Sequence, residues 1–256
     1  MNQLMNRRQA LGLLGSGVGA VVLGACGGSD GPDGGGAAAT TTVATAAAGA
    51  IGVEAFAGAA SCTLTPEQTE GPYYIDVDSI RADVREDREG VPVRLAVRVL
   101  DADGCTPVKD ALFEVWHADA GGRYSGFESA STGPGGGRPG SGGGAAVSDD
   151  RRYLRGAQVT DADGIAQVTT IYPGWYQGRT VHIHAKVQLS NRELLTTQLY
   201  FDDDLTDEVF SRAPYNGQGD RSTRNDGDGI FRPEAVLTVS EQGDGYLAVM
   251  TMGVRS

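Results

Sequence analysis

The sequence predicts an all-β fold: a single β-sandwich domain with long loops and one or two short helices. Valine and leucine alternate with arginine and alanine over residues 93–99, which is the pattern of a strand with one buried face. Asp-Gly turn signals recur at residues 101–104 and 161–164, and further short apolar runs lie between turn residues. Many short strands separated by turns are typical of two sheets packed face to face.

The remaining elements of the domain follow from local pattern. Short helices are predicted over residues 79–85 and 205–213. The turn at 161–164 predicts a hairpin between its flanking strands, and it lacks the downstream carboxylates of a calcium loop. The acidic segments 202–204 and 225–229 are interpreted as solvated turns. The predicted strands cover residues 93–99, 111–116, 157–160, 165–171, 181–189, 194–201, 235–240 and 246–252.

The first 26 residues have the pattern of an export signal. The twin arginines Arg7 and Arg8 precede an apolar run over residues 11–23, which is shorter than the ~20 residues that span a bilayer. The run ends at Leu23-Gly-Ala-Cys26, which is typical of a lipoprotein cleavage site, so we expect Cys26 to carry lipid. Cleavage within residues 37–59 without lipid is the alternative. The pattern predicts an exported protein at the cell surface or periplasmic side, or released, with only this anchor in the membrane.

Composition separates a linker from a folded domain. Residues 27–60 are mostly Gly, Ala and Thr, which bury too little surface to fold, so a disordered tether is expected. Residues 61–256 suffice for one domain with a sizeable core. Within it, residues 128–149 form a loop rich in Gly, Ser and Pro, which is either a lid or disordered.

Charge and cysteine content limit the classes of function. The net charge of −12 argues against a nucleic-acid partner, which requires clustered Lys and Arg. None of the three cysteines has the spacing of a zinc site. With Cys26 lipidated, Cys62 and Cys105 are expected to form a disulfide in an oxidising compartment. Two unpaired thiols are the alternative.

Two of the three histidines lie in a predicted strand, as His182-Ile-His184. Alternation places both side chains on one face with Cβ atoms roughly 6–7 Å apart, which suits either a metal-ligand pair or two packed histidines. Only His117 remains as a third histidine, so further ligands of a metal would be oxygens of Asp, Glu or Tyr. Tyrosinate suits a ferric ion, and Tyr124 and Tyr176 each lie where a strand gives way to a glycine turn. A zinc hydrolase with a carboxylate ligand is an alternative.

Six sequence blocks together resemble one family. In order along the chain they are residues 65–74 (TPEQTEGPYY), 115–118 (VWHA), 122–125 (GRYS), 173–176 (PGWY), 179–184 (RTVHIH) and 196–198 (TTQ). The chain in this respect resembles the intradiol ring-cleavage dioxygenases, the group of catechol 1,2-dioxygenase and protocatechuate 3,4-dioxygenase. The resemblance covers the whole predicted domain, and it implies the β-sandwich fold.

The resemblance implies one ferric ion, Fe(3+), per chain, held by Tyr124, Tyr176, His182 and His184. It also implies insertion of both atoms of O2 into a catechol-type aromatic diol, giving a cis,cis-muconate in aromatic compound catabolism. By analogy with the family, Tyr176 is the ligand that leaves when substrate binds and acts as a base.

Further roles come from the same resemblance. Arg179 and Gln198 match the family's catalytic pair, expected to stabilise charge on the reacting ring, although Arg179 could be a surface cation. Residues Pro72, Tyr73 and Tyr74 match the segment that walls the substrate pocket. Trp116 and His117 are interpreted as structural.

The chain departs from cytoplasmic members in two ways. The N-terminal helical region used for dimerisation has no counterpart, which favours a monomer. The short interval between Tyr176 and His182 predicts a more open pocket. A non-catalytic surface lipoprotein that binds a ligand or carbohydrate through a β-sandwich is the alternative function.

Overall fold

The computed structural model describes residues 49–58, 62–77, 79–132 and 145–256. The predicted signal and Cys26 lie outside these residues. Within them, no helix is both long and apolar enough to cross a membrane.

Eight strands form two four-stranded sheets in the described part of the chain, which confirms the predicted β-sandwich. The first sheet has the order β4-β1-β8-β7 and the second β3-β2-β5-β6. Pairs are antiparallel except β1 with β8. The strands are β1 (Pro92–Asp101), β2 (Leu112–Trp116), β3 (Arg155–Val159), β4 (Ile165–Ile171), β5 (His182–Leu189), β6 (Arg192–Tyr200), β7 (Thr238–Gln242) and β8 (Gly245–Val254).

The main apolar core lies between the two sheets. The alternating valines and leucine of β1 are buried there, together with Ile183, Ala185 and Val187 of β5. Because side chains alternate along a strand, His182 and His184 face the opposite, outer side of the second sheet. That side is covered by a second, largely aromatic cluster of Tyr73, Trp116, Ala118, Tyr124, Phe127 and Tyr176.

Helices are short and lie in the connections. The α-helices are α1 (Glu128–Thr132) and α2 (Asp203–Phe210), and 3-10 turns occupy Val53–Phe56, Tyr215–Gln218, Asn225–Gly227 and Pro233–Ala235. The helix predicted over 205–213 corresponds to α2. It begins earlier because the Asp202 side chain accepts hydrogen bonds from the amides of Asp204 and Leu205 and so caps its first turn.

Two local predictions are wrong. Residues 79–85 are not a helix: the amide of Arg81 donates to Ala157 O of β3, and that of Val84 donates to Thr169 O of β4. This segment therefore bridges the two sheets. The strands flanking the turn at 161–164 are not a hairpin either, since β3 pairs with β2 and β4 with β1. The turn carries the chain from one sheet to the other.

The predicted tether needs correction at its C-terminal end. Residues 49–58 include the 3-10 turn Val53–Phe56, and Ile51 and Phe56 are buried against Ala96, Ile165 and Val249 of the first sheet. Two large apolar side chains suffice to pack this segment, despite its small-residue composition.

A covalent bond and two backbone contacts hold the segment that leads to the site. Cys62 and Cys105, the predicted pair, form a disulfide with a Cα–Cα distance of 5.4 Å. The chain then crosses the sandwich: the amide of Thr65 donates to Gly253 O of β8 (3.0 Å), and that of Gln68 donates to Thr196 O of β6 (2.8 Å).

The loop predicted over 128–149 is described only in part. Its first residues form α1, and Ala145 N donates to Pro72 O (3.0 Å). Residues 133–144, which make up most of the predicted lid or disordered loop, lie outside the described part.

Candidate metal centre

The two histidines of β5 form the base of the site. Both are 2% exposed, and their Nε2 atoms lie 3.2 Å apart. His182 Nδ1 is 2.7 Å from Thr180 O. Because a carbonyl only accepts hydrogen bonds, Nδ1 carries the proton, and Nε2 keeps a lone pair directed at its neighbours.

Two tyrosines complete the group of donors. The phenol oxygen of Tyr176 lies 3.1 Å from His182 Nε2, and that of Tyr124 lies 3.4 Å from the same atom. Their rings pack edge to face with centroids 5.7 Å apart. Tyr124 is fully buried, whereas Tyr176 is 7% exposed. The structure thus brings together all four residues that the sequence nominated as metal ligands.

Close backbone packing of two loops positions the tyrosines. Gly174 N donates to Asp119 O (3.0 Å), and a Cβ on Gly174 would lie only 2.4 Å from Ala120 O. Gly122 has a φ of +78°, and a Cβ there would lie 2.2 Å from Trp175 O. Only glycine permits both approaches, so the loops bearing Tyr124 and Tyr176 are held against one another.

This donor set fits a metal ion. The Tyr176 oxygen, His184 Nε2 and the Tyr124 oxygen lie 3.1, 3.2 and 3.4 Å from His182 Nε2, which places the four donors close enough to share one cation. Two phenols and two imidazoles form a mixed oxygen and nitrogen set that suits ferric iron.

Electrostatics favour a bound cation. Burial, reinforced by the charge of Arg179, lowers the pKa of both His182 and His184 well below the usual range, so the imidazoles are neutral as metal ligands must be. Burial raises the pKa of the Tyr124 phenol well above its usual value, and also raises the pKa of Tyr176. The phenols therefore ionise at neutral pH only where a cation compensates their charge.

The ring of His184 is enclosed by its neighbours. The Trp116 indole stacks on it with centroids 4.9 Å apart and an angle of 6° between planes. Gly71, with a φ of +76°, approaches so closely that a Cβ there would lie 3.0 Å from His184 Cε1. Trp116, which the sequence suggested only as structural, therefore contacts a candidate ligand.

The predicted pocket-wall residues have different surroundings. Tyr73 is buried, with its ring 4.7 Å from that of Tyr124. Tyr74 packs edge-on against Trp116 (4.9 Å) and its hydroxyl donates to Glu114 Oε2. Pro72 is half-buried, and its carbonyl accepts from Ala145. Of the three, Tyr73 contacts a candidate ligand directly.

The predicted catalytic pair is also assembled. Arg179 Nη2 donates to Gln198 Oε1, and Gln198 lies opposite His184 in the register of β5 and β6. Gln198 Nε2 donates in turn to Thr69 O (3.0 Å). Arg179 is 4% exposed, so it is not a surface cation.

Local sequence patterns missed one buried carboxylate. Residues 225–229 were interpreted as a solvated turn, which is wrong for Asp228: it is buried, and its Oδ2 lies 2.9 Å from Arg179 Nε. The two residues are 49 positions apart, and no local signal connects them.

His117 lies outside the group of donors. It is buried, its Nδ1 lies 2.8 Å from Ala118 O, and its Nε2 lies 2.6 Å from Thr170 Oγ1. With Nδ1 donating to the carbonyl, Nε2 accepts from the threonine hydroxyl. Both ring nitrogens are thereby used: Nδ1 binds the next residue, and Nε2 joins the end of β2 to Thr170 of β4, as expected for a structural residue.

Comparisons with known proteins agree on one family. A family profile described as Dioxygenase matches residues 69–227. An intradiol ring-cleavage dioxygenase from Tetranychus urticae is 32% identical, covering 75% of this chain and 94% of that chain, with a TM-score of 0.68. The dioxygenase domain of a dioxygenase carbohydrate-binding protein fusion from Streptomyces sp. SirexAA-E is 30% identical, covering 74% of this chain and 97% of that chain, with a TM-score of 0.55.

Sequence relatives agree over a shorter range. Catechol 1,2-dioxygenase 1 from Acinetobacter lwoffii is 29% identical over 163 residues, which is 55% of this chain and 47% of the relative. The chain spans about half the length of the curated relatives it matches.

Proposed function

The chain belongs to the intradiol ring-cleavage dioxygenases, and from this membership we propose that it is a non-haem, Fe(III)-dependent enzyme acting on a catechol-type diol. The reaction breaks the bond between the two hydroxylated carbons, adds one oxygen atom of O2 to each of them, and gives a cis,cis-muconate. The observation that carries the proposal is the buried convergence of Tyr124, Tyr176 and His184 on His182 Nε2, within 3.1–3.4 Å.

In this proposal Tyr124, Tyr176, His182 and His184 hold the iron. When bound, Fe(III) would accept electron density from the catecholate oxygens and so activate the ring toward O2. The neutral imidazoles bind without adding charge, and the phenols contribute two negative charges once ionised, which favours the ferric over the ferrous state.

Tyr176 is the better candidate for a proton acceptor. Its side chain has some exposure, whereas Tyr124 is enclosed by Tyr73 and other aromatic rings. As a phenolate, Tyr176 would take a catechol proton at its oxygen, while Tyr124 stays in place. The nearby Arg179 charge opposes the effect of burial on the Tyr176 pKa and so supports ionisation.

Arg179 and Gln198 are proposed to act on the substrate ring. The guanidinium is buried, so its charge acts in a medium of low dielectric constant and is little screened. Anionic character that develops on the ring would be stabilised by this charge. The hydrogen bond from Arg179 Nη2 to Gln198 Oε1 holds the Gln198 amide next to the guanidinium.

A non-catalytic ligand- or carbohydrate-binding lipoprotein is not favoured. Such a protein has no need of four convergent buried donors, among them two histidine Nε2 atoms that lie 3.2 Å apart. A zinc hydrolase is not favoured either, because His, Cys, Asp and Glu form no group of three or more at metal-binding distance among the described residues.

Colour, metal content and O2 uptake test the proposal together. The purified protein is expected to be burgundy from charge transfer between tyrosinate and iron, and to consume O2 with at least one of catechol, protocatechuate, hydroxyquinol and 4-methylcatechol. His182→Ala is the matched control and should be colourless and inactive. A colourless wild-type protein holding zinc, or one that is iron-loaded but inert toward all four diols, would contradict the proposal.

We further propose that the enzyme is exported and held at the membrane only by lipid on Cys26. The support is the order of twin arginine, apolar run and Leu23-Gly-Ala-Cys26. Detergent-phase partitioning of expressing cells tests this: wild type should enter the detergent phase and Cys26→Ser should not. Wild-type protein found in the aqueous phase, with Cys26 unmodified, argues against the anchor.

A further inference from the structure

The loop after α2 brings a buried carboxylate, that of Asp228, to Arg179 of the candidate site. We propose that Asp228 is a positioning residue, which orients the Arg179 guanidinium toward the substrate and fixes the backbone that holds His182. The inference rests on the proposed function, because it assigns a role in that reaction.

Asp228 accepts hydrogen bonds on both of its carboxylate oxygens. Its Oδ2 accepts from Arg179 Nε (2.9 Å) and from Thr180 N (3.0 Å), and its Oδ1 accepts from Ile230 N (2.9 Å). Its side chain is 2% exposed, so the carboxylate is withdrawn from water and depends on these donors. The ion pair therefore has a defined geometry.

The contact determines which nitrogens of Arg179 remain for other partners. Nε is bound to Asp228 and Nη2 donates to Gln198 Oε1. A guanidinium is planar, so two fixed nitrogens fix the plane of the whole group. None of the hydrogen bonds between described residues uses Nη1, which leaves that end of the fork as the part that can face a ligand.

The same carboxylate acts on the histidine through Thr180. The Thr180 amide donates to Asp228, while its carbonyl accepts from His182 Nδ1 (2.7 Å). The Thr180 hydroxyl donates to Asn225 Oδ1 (2.7 Å), and Asn225 Nδ2 donates to Phe201 O. One loop thus holds residue 180, and with it the direction of the His182 ring.

Charge is the second part of the role. A buried guanidinium without a counter-charge would be forced toward water or toward another acceptor. With Asp228 present, the charge of Arg179 is compensated at Nε, and the guanidinium can stay buried beside the site. A residue important only for folding would stabilise the loop without affecting turnover per bound iron.

Asp228→Asn separates these roles. An amide can place its oxygen at the Oδ2 position but then directs its NH2 toward Ile230 N, and it carries no charge. We expect kcat per bound iron to fall about 10–100-fold, as for other residues that orient a site from outside it. In an Arg179→Ala background the same change should alter kcat less than about 2-fold, because the guanidinium is absent and the amide oxygen of Asn still accepts from Thr180 N.

Asp101→Asn is the matched control. Asp101 accepts from the backbone amides of Asp103, Gly104 and Ser256 at the end of β1, and none of the ion pairs between described residues includes it. Asp101→Asn should keep the wild-type kcat.

Asp228→Glu is the fallback if Asp228→Asn does not fold. It retains the charge and displaces the guanidinium by one methylene, and it should still lower kcat per iron.

A second readout does not use activity. Urea unfolding of the wild type, the two single variants and the double variant measures the coupling of Asp228 and Arg179, which should be non-additive. A wild type that turns over no diol would refute the proposed function, while this coupling could still be measured. If the wild type is active, two results would overturn the inference. One is a wild-type kcat per iron for Asp228→Asn or for folded Asp228→Glu. The other is an equal loss of kcat from Asp228→Asn with and without Arg179→Ala.

Discussion

The Cys62–Cys105 disulfide gives a prediction whose size follows from the structure. The bond closes a loop of 43 residues, and the perturbation is the double substitution Cys62→Ser/Cys105→Ser. In the chain-entropy model, a loop of this length stabilises the folded state by about 4 kcal/mol, which is an upper value because native strain is ignored. For a domain of this size, that corresponds to a loss of about 8–16 °C in Tm.

Activity should respond less than stability. The segment between Cys62 and the site is also held by the backbone contacts of Thr65 with Gly253 and of Gln68 with Thr196. Lys186 adds an ion pair with Glu70 immediately before Gly71. These contacts keep the segment against β6 and β8, so we expect kcat below the melting range to stay within about 2-fold of wild type.

The assay combines peptide mapping with thermal unfolding. Mass spectrometry of the non-reduced exported protein should find the two cysteine peptides linked. Unfolding is then followed for the oxidised wild type, the wild type in reductant and the double variant, and reductant added to the double variant is the control. Free thiols at both positions in the exported protein, or a double variant that melts within about 2 °C of the oxidised wild type, would refute the reasoning.

Three further outcomes are expected. Tyr176→Phe should keep iron but lose most turnover because it removes the proton acceptor, whereas Tyr124→Phe should weaken iron retention; equality of both with wild type in metal content and rate would contradict the assignment. Arg179→Ala should lower kcat by about 10²-fold with iron still bound, and Arg179→Lys should recover only part because it lacks the planar fork; a wild-type rate for Arg179→Ala would exclude a catalytic role. Burial lowers the pKa of His117 to about 4 in the folded protein. Below the ordinary histidine pKa the unfolded chain therefore binds more protons than the folded one, so the free energy of unfolding falls as the pH drops toward 4. His117→Gln should reduce the acid-induced loss of unfolding free energy of the metal-free protein between pH 6.5 and 4 by about 3 kcal/mol, and an unchanged pH profile in urea titrations would show that His117 does not titrate in this way.

The strands and the fold class could be predicted because their signals are local. The alternation over residues 93–99 lies within β1, and the apolar positions around His182 and His184 lie in β5. The choice of partner strand could not be predicted from the same signals. The Asp-Gly turn at 161–164 has the same local sequence signal whether β4 pairs with β3 in a hairpin or joins the opposite sheet.

Part of the candidate site was also visible in the sequence. His182 and His184 share a face because they are two residues apart in a strand, and the sequence blocks nominated Tyr124, Tyr176 and Arg179. Their metal-binding and catalytic roles remain predictions. The stacking of Trp116 on His184 was missed, since contact between β2 and β5 depends on sheet register.

By itself, the sequence determined the β pattern and the shared face of the two histidines, because each depends on residues a few positions apart, and the family resemblance nominated the four donors. Only the tertiary structure decided that the loops of Tyr124 and Tyr176 pack together, that residues 49–58 join the domain, and that Asp228 meets Arg179. These contacts join segments that are distant along the chain. Apolar side chains are buried where distant segments pack on them, and a buried charge is stable only where such a segment supplies a counter-charge or hydrogen bonds. No local pattern specifies those partners.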